Sequence, residues 1–426
     1  MDELSTSPEE MDHLFRRESG RMVAAVTRVF GVHNLALAED VVQDAFCRAL
    51  EVWSLRGPPE NPSAWLVATA KRRALDALRR ERTARTFAPE LGRLLESEWT
   101  VAATVEEFFD AGAIKDALLR MMFSCCHPRL SEDAQVGLIL NILCGFSVGE
   151  IASAFVCGQA AVEKRSSRGK KTLAGSTRLF DVSVPADFST RLPAVQRALY
   201  LLFNEGYHGA SPEFAVRAEL CREAMRLTAA LLEHPRGATP ATYALAALMS
   251  LNAARLPARV DSCGNLNSLF DQDRSRWDRR LIEEGLRRLD LSATGDALSE
   301  YHVEAAIASV HAAAKTTQET NWGEIVCYYD TLITISPSPI VALNRAIAVG
   351  QHEGPERGLN ELRAIDGSDR LDAYLFYSAA LGEFELRRGE IEIARNHFRT
   401  ALVVARNPVE RRFLEQRVGA CEAAGP

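Results

Sequence analysis

Hydrophobic and polar positions sort most sharply between Ser63 and Arg82. At roughly 100° per residue, Val67, Ala70, Ala74, Ala77 and Leu78 fall on one face of a helix. Trp65, Arg72 and Arg79 line the opposite face, flanked by Arg73 and Arg80. Ser63 is placed to cap this helix. The same spacing predicts helices near Met11–Phe30 and Ala36–Trp53. Between the second and third, Ser54–Pro62 contains Gly57, Pro58, Pro59 and Pro62, which excludes helix there.

A second helical block begins at Ala113. Ser131-Glu132-Asp133 starts a helix that runs through Cys144 and ends at Gly145. Ser147 and Glu150 then form a capping box, because each side chain can bond the other residue's backbone N–H. That short helix ends near Phe155, and the Val156-Cys157-Gly158 turn leads into a further helix from Gln159. This is helix-turn-helix spacing. On the last helix Val162, Gly169 and Leu173 share one side; Ala160, Lys164, Ser167 and Lys171 share the other, with Arg168 beside them. From Asp187 onward there is weak repetition near tetratricopeptide length. Ile325, Tyr329 and Leu332 align with Gly358, Leu362 and Ile365, and these with Ala394, Phe398 and Ala401. Gly382 and Gly389 sit where such repeats place small residues. The pattern predicts an array of paired helices.

Composition agrees with an all-α chain. It is 47% hydrophobic but only 7% aromatic, and Ala, Leu, Arg and Glu are abundant. No apolar run is long enough for a membrane span. The acidic start, Met1 to Glu10, has the wrong sign for a signal peptide. Nine scattered cysteines suggest reduced thiols in a cytoplasm. The net charge of −7 argues against nucleic acid, but its distribution argues the other way. Leu66–Arg85 has seven basic and two acidic residues; Gln159–Arg178 has six and one. Each is +5, so the remainder carries −17. Two basic elements on an acidic body imply focused contacts with a polyanion. Thr86–Gly112, with six acids and one base, reads as an acidic linker.

Other clusters carry less chemistry. Cys125-Cys126-His127 lie on diverging helical directions and lack further ligands, so no metal is expected. Glu304 and His311 share a helix face without catalytic spacing, and no nucleophile–base set or phosphate-cradling loop is found. Phe203–Gly209 reads as a helix end with Gly206 in the left-handed C-cap position. Gln272–Asp278 packs charge around Trp277, which suits either a buried ion-pair network or a docking surface.

Taken with Ser147–Leu173, the segment Asn61–Arg82 resembles an extracytoplasmic-function sigma factor of bacterial RNA polymerase. Ala38–Phe46 is similar to the helix by which these factors dock on the polymerase clamp. Leu201–Tyr207 and Asp271–Asp278 resemble the large tetratricopeptide-like extension of one subgroup. Where the family has an aliphatic residue and an Ala on the recognition helix, this chain has Ser166 and Gly169.

The resemblance implies three functional parts and a non-enzymatic, cofactor-free initiation factor that works in the cytoplasm with RNA polymerase core and promoter DNA. Residues 1–85 would bind the clamp through Asp40, Gln43, Asp44 and Phe46. They would bind the −10 element through Asn61, Ser63, Trp65, Lys71, Arg72, Arg73, Arg79 and Arg80. Residues 113–180 would read the −35 element with Gln159, Ala160, Lys164, Ser167, Arg168 and Lys171. Residues 187–426 would regulate both, with Asp273, Arg276 and Trp277 as the contact, and with a further partner of their own left open. The alternative is a helix-turn-helix regulator with a helical ligand- or partner-binding domain. It leaves the Asn61–Arg82 segment unexplained.

Overall fold

The computed structural model describes residues 8–30, 34–84, 116–155, 157–175, 185–208, 216–261, 267–366, 371, 374–405 and 408–424. The expected acidic linker, 86–112, lies outside them. Among the described residues there are nineteen α-helices and no strand. The chain divides into two compact units, 1–202 with 230–237 and 203–229 with 238–426.

The first unit begins with α1 (Pro8–Phe30), α2 (Leu35–Arg56) and α3 (Pro62–Ala84), which pack on one another. Apolar, mostly small residues at three- and four-residue intervals face the interior: Ala38, Val42, Ala45 and Ala49 on α2, and Leu66, Ala70 and Ala74 on α3, are all buried. Gly57 ends α2 at φ 72°. The cap of α3 is Asn61, not Ser63: its side-chain oxygen accepts from the Ala64 N–H at 3.0 Å. Pro62 then takes the first helical position, where a missing N–H costs nothing.

Four shorter helices follow: α4 (Ala117–Cys125), α5 (Glu132–Ile142), α6 (Val148–Ala154) and α7 (Gln159–Ala174). The expected capping box is formed, with Glu150 N–H donating to Ser147 at 3.2 Å and Ser147 N–H to Glu150 at 2.7 Å. Gly145 adopts φ 70°, which lets the chain reverse between α5 and α6. Val162, Gly169 and Leu173 form the buried side of α7. Gly169 has a steric reason: a Cβ there would stand 2.7 Å from Leu138 Cδ1, and Leu138 is fully buried on α5. Cys125 and Cys126 are core thiols, and burial pushes that of Cys125 up to about 12.

Two features join these helical modules within the unit. Gly20 of α1 lies so close to the end of α5 that a Cβ would sit 1.9 Å from the Leu143 carbonyl oxygen. Lys170 of α7 donates to Glu39 of α2 at 2.7 Å. α8 (Pro185–His208) is strapped to α5 by Arg197, which bonds Glu132 and Asp133 at 3.0 Å each.

The second unit takes in the end of α8 and most of α9 (Ala218–Leu232). Gly206 is inside α8, not at a left-handed cap. A Cβ there would meet Cys221 N at 2.7 Å and Arg217 O at 2.8 Å, so this glycine admits the start of α9. α10 (Pro240–Ala253) is buried on almost all sides. After α11 (Leu256–Arg259) and a 3₁₀ turn at Arg274–Arg276, it is flanked by α12 (Arg279–Ser292) and α13 (Glu300–Ala313).

Three helix pairs complete the unit: α14 (Trp322–Ile335) with α15 (Pro339–His352), α16 (Pro355–Arg363) with α17 (Leu375–Arg387), and α18 (Ile391–Val404) with α19 (Pro408–Ala424). Residues aligned by repetition occupy equivalent buried places on α14, α16 and α18: Ile325 and Leu332, Gly358 and Leu362, Ala394, Phe398 and Ala401. Gly350 and Gly358 make room for the Phe384 ring, and Gly382 makes room for Phe398.

Gly169→Ala tests the packing of α7. Alanine gains about 0.8–1 kcal/mol of helix propensity, but overpacking costs roughly 1–3 kcal/mol. A net loss of about 1 kcal/mol is expected in urea unfolding. Combining it with Leu138→Val should recover part of that loss, a non-additivity that distant sites would not show.

Candidate nucleic-acid interface

Between α2 and α3 lies a cleft of about 340 Å³. Arg48 and Val52 line it from α2, and Trp65, Ala68, Thr69, Arg72, Arg73 and Asp76 from α3. The residues of α3 recur at three and four, so one helix face supplies most of the wall. Arg73 is 3.8 Å from Asp44, and Arg48 is 2.8 Å from Glu51, both as exposed pairs. Arg72 is exposed and has no ion-pair partner among the described residues. A cleft with three guanidinium groups and an indole edge can hold phosphate oxygens beside a planar base.

Trp65 is half-buried, not fully on the outer face. Its ring is 5.3 Å from that of Trp53, which is 6.2 Å from Phe15, and Phe15 stacks on Phe46 at 4.5 Å. One aromatic column thus crosses the three-helix module. Its Trp65 end borders the cleft, and its Phe46 end borders the outer stripe of α2. Asn61 is exposed at the head of α3, Ser63 and Lys71 are half-buried, and Arg73 is exposed. The side chains of Arg79 and Arg80 lie outside the described residues.

The outer stripe of α2 consists of exposed Asp40, Gln43, Asp44, Cys47, Leu50 and Glu51. Phe46 is half-buried against Phe15, so its ring serves packing as well as any outward contact. Leu50, 52% exposed, is the residue that sequence reasoning missed. Its signal was a spacing of seven from Gln43, which puts an apolar side chain near the C-terminal end of a polar stripe.

On α7 the split is clean. Gln159, Ala160, Lys164, Ser167, Arg168 and Lys171 are all exposed, opposite the buried Val162, Gly169 and Leu173. Lys170 differs from its neighbours because it turns toward Glu39.

Residues 14–84, which contain the cleft, the aromatic column and the α2 stripe, match Sigma-70 region 2. An uncharacterized protein of Rhizobium meliloti (strain 1021) is 36% identical over 397 residues, covering 93% of this chain and 92% of the relative. The chain belongs to one family with that relative, and its residues 14–84 form a Sigma-70 region 2 domain. Residues 191–293 match a second family, one of unknown function named DUF6596. No solved structure matches the chain significantly. Region 2 is the part of sigma-70 proteins that binds polymerase core and recognises promoters. Sigma-70 proteins are transcription factors, not enzymes. Among the described residues no helix is long and apolar enough to cross a membrane.

Of the three residues expected to make a regulatory contact, Asp273 and Arg276 are exposed. Trp277 is 4% exposed and belongs to the core of the second unit, which corrects its placement on a docking surface. The segment is not an ion-pair network either. Arg274 donates to the carbonyls of His311 and Ala314 at 2.9 and 3.0 Å, and Asp278 caps α12 by accepting from Arg280 N–H at 2.9 Å.

The α2 stripe separates exposed positions from packing positions. Phe46→Ala removes a ring contact and should cost about 1–2 kcal/mol of stability. Asp44→Ala breaks only an exposed pair and should stay within about 0.5 kcal/mol. Equal melting temperatures for the two variants would show that the Phe46 ring contributes nothing to the fold.

Proposed function

We propose that this chain is an alternative sigma factor of the extracytoplasmic-function type, which docks on polymerase core, melts promoters and is regulated by its own C-terminal unit. The observation that carries the reading is the cleft of Arg48, Trp65, Arg72 and Arg73, placed beside the α2 stripe and inside the Sigma-70 region 2 match. In this reading Asp40, Gln43, Asp44 and Leu50 meet the clamp. The cleft receives an unstacked −10 base, whose extraction costs a few kcal/mol that stacking must offset. Arg72, Arg73, Arg79, Arg80 and Lys71 hold phosphates, and Asn61 and Ser63 stand at the entry.

The exposed face of α7, from Gln159 to Lys171, reads the −35 duplex. With about 17 base pairs between the elements, the two sites stand on the order of 58 Å apart at 3.4 Å per step. The linker of 27 residues spans up to about 90 Å when extended. The two modules are in contact through Gly20 and through Glu39–Lys170, so promoter engagement requires them to part. The paired helices of the second unit are read as tetratricopeptide-like, with Asp273 and Arg276 as the exposed candidates for the regulatory contact this unit makes.

Retention on purified polymerase core, followed by run-off transcription on randomised promoters, tests the proposal. Arg72→Ala with Arg79→Ala should keep core retention and lose open-complex formation, with a salt slope lowered by roughly one per phosphate contact. Nanomolar sequence-specific footprints by the isolated protein, without core, would favour a conventional regulator instead.

Gly20→Ala tests the closed arrangement, because the added methyl cannot coexist with the Leu143 carbonyl at its present distance. It should enlarge the radius of gyration in small-angle scattering and raise run-off transcription. A variant with unchanged scattering and unchanged output would show that the contact does not restrain the modules.

A further inference from the structure

The second unit contains a concentration of positive charge that the sigma-70 reading does not use. The guanidinium carbon of Arg255 is 5.8 Å from the Tyr207 ring centre and 5.5 Å from that of Trp277. Arg259 covers Tyr207 at 4.2 Å, and Arg274 covers Trp277 at 5.0 Å. Three cations therefore surround two rings. Their hydrogen-bond acceptors among the described residues are neutral. Arg255 reaches Asn252 at 3.5 Å; Arg259 reaches the Tyr207 carbonyl at 3.0 Å and His208 at 2.9 Å. Arg274 reaches the carbonyls of His311 and Ala314, and Thr320 Oγ1 at 3.0 Å.

The same cluster holds several unpartnered polar atoms, most of them N–H or O–H groups. Tyr207 Oη, Trp277 Nε1, His311 Nδ1 and the Nε atoms of Arg255 and Arg274 are buried and have no hydrogen-bond partner among the described residues. Tyr207, Trp277 and His311 are 3%, 4% and 7% exposed, so bulk water does not satisfy them. Burial, with Arg255 and Arg274 nearby, holds the His311 imidazole down at about 3, so it adds no charge of its own. Glu319 lies near Arg274 but bonds the Lys315 N–H instead, so each unpartnered polar atom and each cation without a direct ion pair is a cost to the folded state. A single group with several negative oxygens relieves both at once.

We propose that the second unit binds a small molecule through a phosphate or carboxylate group at Arg255 and Arg274, backed by the charge of Arg259 and completed by Tyr207, Trp277 and His311. Arg255 and Arg274 are half-buried, so part of each side chain is open to solvent. The proposal is independent of promoter recognition, since binding is measured without polymerase or DNA.

The test is thermal unfolding and calorimetric titration of the full chain with sodium phosphate and with sodium succinate, each against sodium chloride at equal ionic strength. Saturable stabilisation by phosphate, by succinate or by both is expected, and the stronger of the two identifies the phosphate or carboxylate source. Arg255→Met should weaken that binding at least tenfold and melt no lower than wild type without anion, because it removes an unpaired cation. Arg287→Ala, an exposed arginine of α12, should bind within twofold of wild type. If Arg255→Met does not fold, Trp277→Phe, which deletes one donor and keeps a ring, should still weaken binding severalfold. No saturable effect of either anion on wild type would overturn the proposal. So would undiminished binding in Arg255→Met, or in Trp277→Phe where that variant is needed.

Discussion

The first module depends on its aromatic column. Phe46, Phe15, Trp53 and Trp65 belong to three different helices, and their contacts fix how α2 and α3 lie against α1. That angle decides where the polar stripe of α2 and the arginine cleft stand relative to each other. The stripe and the cleft are two surfaces of one core, so a change in the rings reaches both. Aromatic pairs contribute about 0.5–1.5 kcal/mol each beyond their buried area. The column therefore matters more than the exposed pairs Arg73–Asp44 and Arg48–Glu51, which in solvent are worth little.

Close approach at helical glycines does comparable work elsewhere. Gly169 seats α7 on Leu138, Gly206 admits α9, and Gly350 with Gly358 accepts Phe384. None of these positions has a positive φ. Their value is the missing side chain, which lets short helices with small faces exclude water at short axial distance. The cost in helix propensity is about 1 kcal/mol per position, and each sits against a close neighbour: the Leu138 or Phe384 side chain, or for Gly206 the backbone of Arg217 and Cys221.

Much of this was legible because helical periodicity and capping chemistry are local. The Ser147–Glu150 box and the inner face Val162–Gly169–Leu173 follow from spacing alone, and so does the exposure of Lys164, Ser167 and Lys171. What was not legible depends on partners distant in sequence. Trp65 looked outward on a helical wheel because nothing local announces Trp53. Gly206 looked like a cap because its real constraint comes from Arg217 and Cys221. Trp277 looked like a surface anchor because its charged neighbours hid the rings and guanidinium groups that enclose it. Asn61 displaced Ser63 as cap because Pro62 is suited to the first helical position and not to the cap itself.

The contact between the two modules of the first unit also has a meaning in populations. If only a fraction of molecules is open, the apparent affinity for any partner that needs the open form falls by that fraction. A closed form favoured by about 1.4 kcal/mol imposes a tenfold penalty on every such partner alike. The Glu39–Lys170 pair is partly exposed, with side chains 24% and 36% accessible, so its contribution is small and sensitive to salt. A restraint of that size sets a threshold of partner concentration instead of an absolute block. Weak binders are turned away while a strong one proceeds at a modest discount.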